Sequence, residues 1–288
     1  MTKKYKILFN KRFLKDLKVI PKKFQKQIDP EFFSRWGLIV CDEVHRYGAE
    51  RWNEVITMFD RETRLGLSAT PKRADGCTKL IKYHIGPVVA VGEGALLTPK
   101  VKRVQFKGKF SIQPWMRDER GRIKQPILDG MLVERKERNE AIIQQCAGAV
   151  KAGRNVIVLT ARREHAKMLK AGVEALIPNV KAGLYMSGLK KADFEYSEEV
   201  AEIVFGTWSM AQEGLDIPRM DTLVMATPRS GVEQGVGRIL RDDINKKNPI
   251  VVDVIDVGIS DCVDKFNGPR CSVYNKLGTK VDKVKYFT

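Results

Sequence analysis

The chain has 288 residues, 43% of them apolar and 30% charged, with a formal charge of +17 and a pI near 9.7. That length accommodates two domains, and the apolar share excludes wholesale disorder. No apolar run approaches the roughly 18 residues that a helical membrane span needs.

The opening "MTKKYKILFNKRF" carries charges inside its apolar stretch, so no signal peptide is expected. Five cysteines (Cys41, Cys77, Cys146, Cys262, Cys271) are scattered, odd in number and without a CxxC pair. They suggest neither a zinc site nor a disulfide framework, which fits a reducing cytosol. The charge points to a polyanion partner, nucleic acid being the commonest. Its distribution is uneven: residues 1–28 hold ten Lys/Arg and one acid, a net +9, which leaves +8 for the other 260. A merely soluble basic surface stays open as the plainer reading.

In chain order, residues 4–9 read as a short strand. Phe13, Leu14, Leu17, Ile20, Phe24 and Ile28 fall at helical spacing. Pro21 breaks that run into two basic helices, about 11–19 and 22–28. "GLIVCDE" (37–43) is a continuous apolar strand ending in acids, the pattern of a buried parallel strand with a functional carboxyl end. "TRLGLSAT" (63–70) repeats the design. Residues 87–112 contain short β-type runs, and 113–135 read as a polar, turn-rich linker.

A helix is then expected over 134–153, with Ala141, Ile142, Cys146 and Val150 on one face and Gly153 as its stop. Strands follow at 155–161, 180–187, 202–210, 222–228 and 249–257, and helices at 162–176 and 231–241. This alternation predicts a parallel α/β domain in the second half.

Chemistry concentrates in a few stretches. In "DEVH" (42–45) adjacent carboxylates on a strand end point in different directions. One can approach Mg²⁺ through water and the other can polarise an attacking water. Alone, the same four residues also read as a solvated acidic turn. "SAT" (68–70) ends another strand. "GTWSMAQEGLDIP" (206–218) gathers glycine, hydroxyls and a carboxylate in a loop-helix-loop. "QGVGRILR" (234–241) places Arg238 and Arg241 on one helical face, which suits charge developing on a transferring phosphoryl group. Trp115 and Trp208 are candidates for base stacking or for packing.

The order and spacing of these stretches resemble the superfamily 2 DExH-box helicases, of the type related to DNA-repair and phage recombination helicases and to type III restriction helicase subunits. "DEVH" is similar to motif II, "SATP" to motif III, "VIVLTARREHA" to motif IV, "GTWSMAQEGLDIP" to motif V and "QGVGRILR" to motif VI.

The resemblance implies an α/β chain: an incomplete first RecA-like domain followed by a complete RecA-like parallel-sheet helicase C-terminal domain. The expected boundaries are a basic arm over 1–28, a partial first domain over 29–112, the linker over 113–135, a second domain over 136–258 and an extension over 259–288. ATP and Mg²⁺ are the implied cofactors.

By the same resemblance Asp42 holds Mg²⁺ and Glu43 is the catalytic base, while His45 and Gln234 couple the nucleotide to the cleft. Ser68 and Thr70 link hydrolysis to strand movement, and Thr160, Gly206 and Thr207 lie near the nucleic-acid backbone. Gly214 and Asp216 sit near the nucleotide, and Arg238 and Arg241 are arginine fingers. The implied partner is nucleic acid, with DNA favoured over RNA, and the implied compartment is the cytoplasm of a bacterial or phage-infected cell.

The family also needs a P-loop, G-x-x-x-x-G-K-[ST], whose amides and lysine cradle phosphates. The nearest pattern, "GAVKAGRN" (148–155), lacks the lysine and the hydroxyl and reads as a helix end before a strand. About 40 residues precede motif II, whereas a doubly wound domain needs several βα units of about 30 residues each. The expectation is a split or truncated first domain, with a P-loop-bearing helicase fragment as a further partner. Residues 1–28 resemble instead the start of RelE/ParE-type toxins, or are a basic amphipathic segment of other origin. The competing expectation for the whole chain is an inactive remnant that binds nucleic acid without turnover.

Overall fold

The computed structural model describes residues 37–42, 44, 63–68, 76, 78–90, 97–213, 215, 217–240, 246–259, 262, 266–279 and 285–287. The chain divides into two compact units, residues 1–92 and 93–288. The strand expected at 4–9 and the helices expected at 11–19 and 22–28 lie outside the described residues.

In the first unit the apolar run Leu38–Cys41 forms β1, and Thr63–Gly66 forms β2. They pair in parallel, Leu38 opposite Thr63 and Cys41 opposite Gly66. A methyl group on Gly66 would lie 3.0 Å from Ile85 and 3.1 Å from Val44, so the absent side chain is what lets these neighbours close over the strand. Helix α1 (Thr78–His84) follows, and the Arg64 guanidinium donates to the His84 carbonyl at 3.0 Å.

The second unit is built on a parallel sheet. Its strands are β3 (Lys100–Phe106), β4 (Val156–Thr160), β5 (Ala182–Tyr185), β6 (Ile203–Thr207), β7 (Thr222–Met225), β8 (Ile250–Asp256) and β9 (Lys285–Phe287), in spatial order β5-β6-β4-β7-β8-β3-β9. Its helices are α2 (Gln125–Val133), α3 (Lys136–Lys151), α4 (Arg163–Leu176), α5 (Lys191–Glu199), α6 (Trp208–Glu213), α7 (Glu233–Leu240) and α8 (Gly268–Lys276).

Strand periodicity sorts the side chains into two layers. Ile157, Leu159, Val204, Leu223, Met225 and Val251 face Trp208, Ala211, Val236, Ile239, Val273 and Tyr274, from α6, α7 and α8. Their neighbours Val156, Val158, Ile203, Phe205, Val224 and Val252 face Ile142, Cys146, Ala166, Leu169 and Val173, from α3 and α4. Both faces are covered, as near-continuous apolar strands require. Burial pushes the Cys146 thiol up to about 12, so it behaves as a small core hydrophobe. At the end of α3, Gly153 takes φ +65° and its amide reaches the Val150 carbonyl at 2.8 Å, which stops the helix as expected.

Three sequence expectations change. Lys100–Phe106, read as part of the first domain, is instead an interior strand of the second unit. It lies parallel to β8 with Val104 opposite Val254, and parallel to β9 with Val104 opposite Lys285. Residues 113–135, read as a linker, contain α2, which buries Leu128 and Leu132 with Ile123, Ile259, Cys262 and Phe266 in a small core of its own. Part of the expected C-terminal extension is core as well: Val273 and Tyr274 are buried in the main cluster.

Buried polar groups hold the carboxyl edge of the sheet. Arg138, fully buried on α3, donates to Asp256 at the end of β8 through Nε at 2.6 Å and Nη2 at 3.0 Å, and through Nη1 to the Ala226 carbonyl at 2.7 Å. Its neighbour Asn139 meets His165 Nε2 at 2.9 Å, and His165 Nδ1 meets Thr160 Oγ1 at 2.6 Å. Burial, with the nearby Arg138 charge, depresses His165 to about 3. On the other face Asp253 is held by Arg270 and by the Tyr274 hydroxyl, the latter at 3.0 Å.

Replacing Arg138 by Met strands the Asp256 carboxylate, and urea unfolding is expected to show a loss of about 3–5 kcal/mol. The double variant Arg138→Met/Asp256→Leu is expected to recover much of that loss. His165 gives a pH signature. Its folded pKa lies below the unfolded value of about 6.5, so the unfolded chain takes up a proton that the folded chain refuses. Stability should therefore fall by about 1.4 kcal/mol per pH unit as pH drops below about 6.5. Unfolding measured between about pH 7 and 5 should show that slope reduced in His165→Gln.

Candidate nucleotide and nucleic-acid site

Beyond β1 the chain passes into Asp42, and beyond β2 into Ser68. The two ends are tied together: the Val44 amide donates to the Leu67 carbonyl and the Leu67 amide to the Cys41 carbonyl, each at 2.9 Å. The expected metal-side and coupling loops thus leave the same edge of one parallel pair, where ligands of open α/β sheets bind. Asp42 is exposed and Ser68 half-buried. Glu43, His45 and Thr70 lie outside the described residues. Among the described residues no group of three His, Cys, Asp or Glu side chains gathers to hold a metal directly. A carboxylate at an exposed strand end is nevertheless suited to holding Mg²⁺ through water.

In the second unit the carboxyl ends of β4 and β6 are adjacent, with Thr160 opposite Thr207. Thr160 corrects an expectation. Its side chain is fully buried and bonded to His165, so it braces the turn into α4 and does not face a nucleic-acid backbone. Thr207 is also buried, and its hydroxyl meets that of Ser209 at 3.0 Å; Ser209 is the exposed partner. Gly206 is buried where a methyl would lie 3.1 Å from the Tyr185 carbonyl oxygen. Gly214, Asp216 and Arg241 lie outside the described residues, as does the Gln234 side chain.

Motifs V and VI are joined physically. Trp208 is 4% exposed, and its indole N–H donates to Thr227 Oγ1 at 3.1 Å, so it packs and is not a stacking platform. Gly235 on α7 lies against it: a methyl there would meet Trp208 Cζ3 at 3.1 Å and Leu159 Cδ1 at 3.3 Å. One turn on, half-buried Arg238 donates from Nε to the Ala211 carbonyl of α6 at 3.2 Å. The glycine thus lets α7 approach, and the approach sets the arginine beside the helix that follows β6.

The "GAVKAGRN" stretch behaves as a helix end. A P-loop runs from a strand into a helix N-terminus, whose amides face the phosphates. Here the polarity is reversed. The carboxyl end of α3 leads through Gly153 into β4, and Arg154 pairs with Asp221 at 2.9 Å.

Sequence reasoning did not anticipate the Arg138–Asp256 pair, the Asn139–His165–Thr160 relay or the Trp208–Thr227 bond. "RREHA" and "KERNEA" look like ordinary charged helix openings, and nothing local marks which of their polar residues point inward.

Comparison with known proteins agrees with this arrangement. The family described as type III restriction enzyme, res subunit, matches residues 2–73. That match includes the basic opening, which counts against a separate toxin-like origin for residues 1–28. A protein of Acanthamoeba polyphaga mimivirus named as an ATP-dependent RNA helicase is 28% identical over 263 residues, 88% of this chain and 49% of its own length.

Among solved structures, a fragment named as an HsdR subunit of a type I restriction enzyme from Vibrio vulnificus YJ016 superposes with TM-score 0.63 at 18% identity, over 94% of this chain and 51% of its own. The helicase MrfA bound to DNA and AMPPNP superposes with TM-score 0.56 at 14% identity, over 89% and 35%. The chain spans about half the length of the curated relatives it matches. In the order of its motifs and in the fold of its parallel sheet the chain is similar to superfamily 2 helicases.

Proposed function

We propose that the chain is part of an ATP-dependent nucleic-acid helicase or translocase that moves on DNA and works in the cytoplasm. The observation that carries this reading is the packing of α7 on α6 through Gly235 and Trp208, with Arg238 bonded to the Ala211 carbonyl. An arginine held in that way is pre-organised, and pre-organised charge is what phosphoryl transfer asks of a protein. The match to a restriction-enzyme subunit favours DNA as the track.

MgATP, when bound, would supply the transferring phosphoryl group. Asp42 would hold the metal through water, and Glu43 would orient an attacking water. Arg238 and Arg241 would balance phosphate charge, while His45, Gly214, Asp216 and Gln234 would line the nucleotide site. Ser68 and Thr70 couple hydrolysis to movement. The backbone at Gly206 and Thr207, with the exposed Ser209 hydroxyl, offers contacts to the strand. A P-loop-bearing helicase fragment would supply the lysine and amides that grip the phosphates. No helix among the described residues is long and apolar enough to cross a membrane.

The test is steady-state ATP hydrolysis by the chain joined to, or mixed with, a P-loop-bearing helicase segment, with DNA and RNA strands as separate activators. Arg238→Ala and Glu43→Gln are each expected to lower turnover by about 10³-fold while strand binding persists. Turnover unchanged by both substitutions would sink the assignment. Strand binding that falls steeply with salt, without hydrolysis in any pairing, would instead establish the alternative: a nucleic-acid-binding module derived from a helicase.

A further inference from the structure

Ahead of α2 the chain makes a small, tightly tied projection whose chemistry the motifs do not use. Residues Pro114–Met116 form a 3-10 turn, and Arg117 and Ile123 are bridged in antiparallel fashion. Between them the Asp118 amide donates to the Arg122 carbonyl at 2.7 Å, and the Gly121 amide to the Asp118 carbonyl at 2.9 Å, with Gly121 at φ +73°. The Asp118 carboxylate accepts from the amides of Arg122 at 2.9 Å and Arg120 at 3.0 Å. Those bonds, the Arg122 amide foremost, hold its carboxyl below the usual range. Lys124 closes the base, its Nζ donating to the Trp115 carbonyl at 3.2 Å. Ile123, 2% exposed, roots the projection in the core formed with Leu128, Leu132 and Phe266.

What this rigid turn shows to solvent is unusual for a surface loop. Trp115 is 65% exposed, and Arg120, Arg122 and Lys124 of the same turn are exposed. Of its two acids, Asp118 is engaged within the turn. An exposed indole on the same tied turn as two exposed guanidinium groups fits a nucleic-acid strand: the ring can stack on a base while the cations reach flanking phosphates. Duplex bases are already stacked, so an unpaired strand is the better partner.

The position agrees. Helix α2, which the projection leads into, is fastened to the carboxyl edge of the sheet: Arg162, two residues past β4, donates to the Pro126 carbonyl at 2.9 Å, and Arg229, just past β7, pairs with Asp129 at 3.4 Å. The turn therefore stands on the same edge of the second unit as the strand-facing residues of motif V.

We propose that the 113–124 turn is a second single-strand contact, with Trp115 stacking on a base and Arg120 and Arg122 holding the phosphates beside it. This rests on the reading of the chain as a nucleic-acid motor. The test is equilibrium binding of labelled oligothymidine and oligouridine strands to the chain and its variants over a range of salt. Trp115→Ala is expected to weaken binding about tenfold and to remove part of the tryptophan quenching, with Trp115→Phe retaining most of the affinity. Arg120→Ala/Arg122→Ala is expected to lower the slope of log affinity against log salt by about 1.4.

A Trp115→Ala variant that binds as the wild type does, or a Phe variant no better than Ala, overturns the stacking. An unchanged salt slope overturns the phosphate contacts, and this readout stands even if the Trp115 variants fold poorly. If the unaltered chain binds neither strand, the motor reading falls and this contact with it. If it binds and the variants are indistinguishable from it, only this contact falls.

Discussion

One buried guanidinium organises the second unit. Arg138 has no route to water, so every charge and proton it carries must be met inside the protein. Asp256 meets two of its N–H groups and the Ala226 carbonyl a third. Those partners stand at or just past the ends of β8 and β7, so one residue of α3 fixes where two strands stop. The next residue, Asn139, extends the control through His165 to Thr160 at the end of β4. The carboxyl edge is thus held from within by polar groups, while its outward-facing atoms stay available.

That division of labour bears on the candidate site. Thr160 belongs to the internal bracing, whereas the Gly206–Ser209 stretch and Arg238 are positioned by it and by the contact of α6 with α7. Trp208 serves the same end. Its ring fills the space under Gly235, and its N–H spends its one donor on Thr227. Groups tied to one another in this way resist local rearrangement.

Much of this was legible in the residues. Strands β4 to β8 and helices α3, α4 and α7 fall close to where periodicity and Gly153 place them, because each has an apolar run or a clear stop. Other elements were hidden for physical reasons. Helix α2 contains Pro126, Asp129 and Gly130 and reads as a linker; it becomes helical because Leu128 and Leu132 meet Ile259, Cys262 and Phe266 from far along the chain. Helix α5 lacks an apolar stripe and is secured by Phe194 against Tyr185 and by the Ser197 hydroxyl on the Leu184 carbonyl at 2.8 Å. The motif residues were identifiable by order and spacing, but which of them face inward depends on partners that no local pattern names, as Thr160 and Trp208 illustrate.

The placement of β3 has a consequence for taking the protein apart. Because Lys100–Phe106 lies between β8 and β9, the second RecA-like unit draws an interior strand from sequence that precedes its own first helices. A fragment begun at the former linker would expose the hydrogen-bonding edges of β8 and β9 and invite association through them. The boundary between the compact units lies near residue 93, and any fusion or isolated-domain expression that keeps the second unit intact has to respect it.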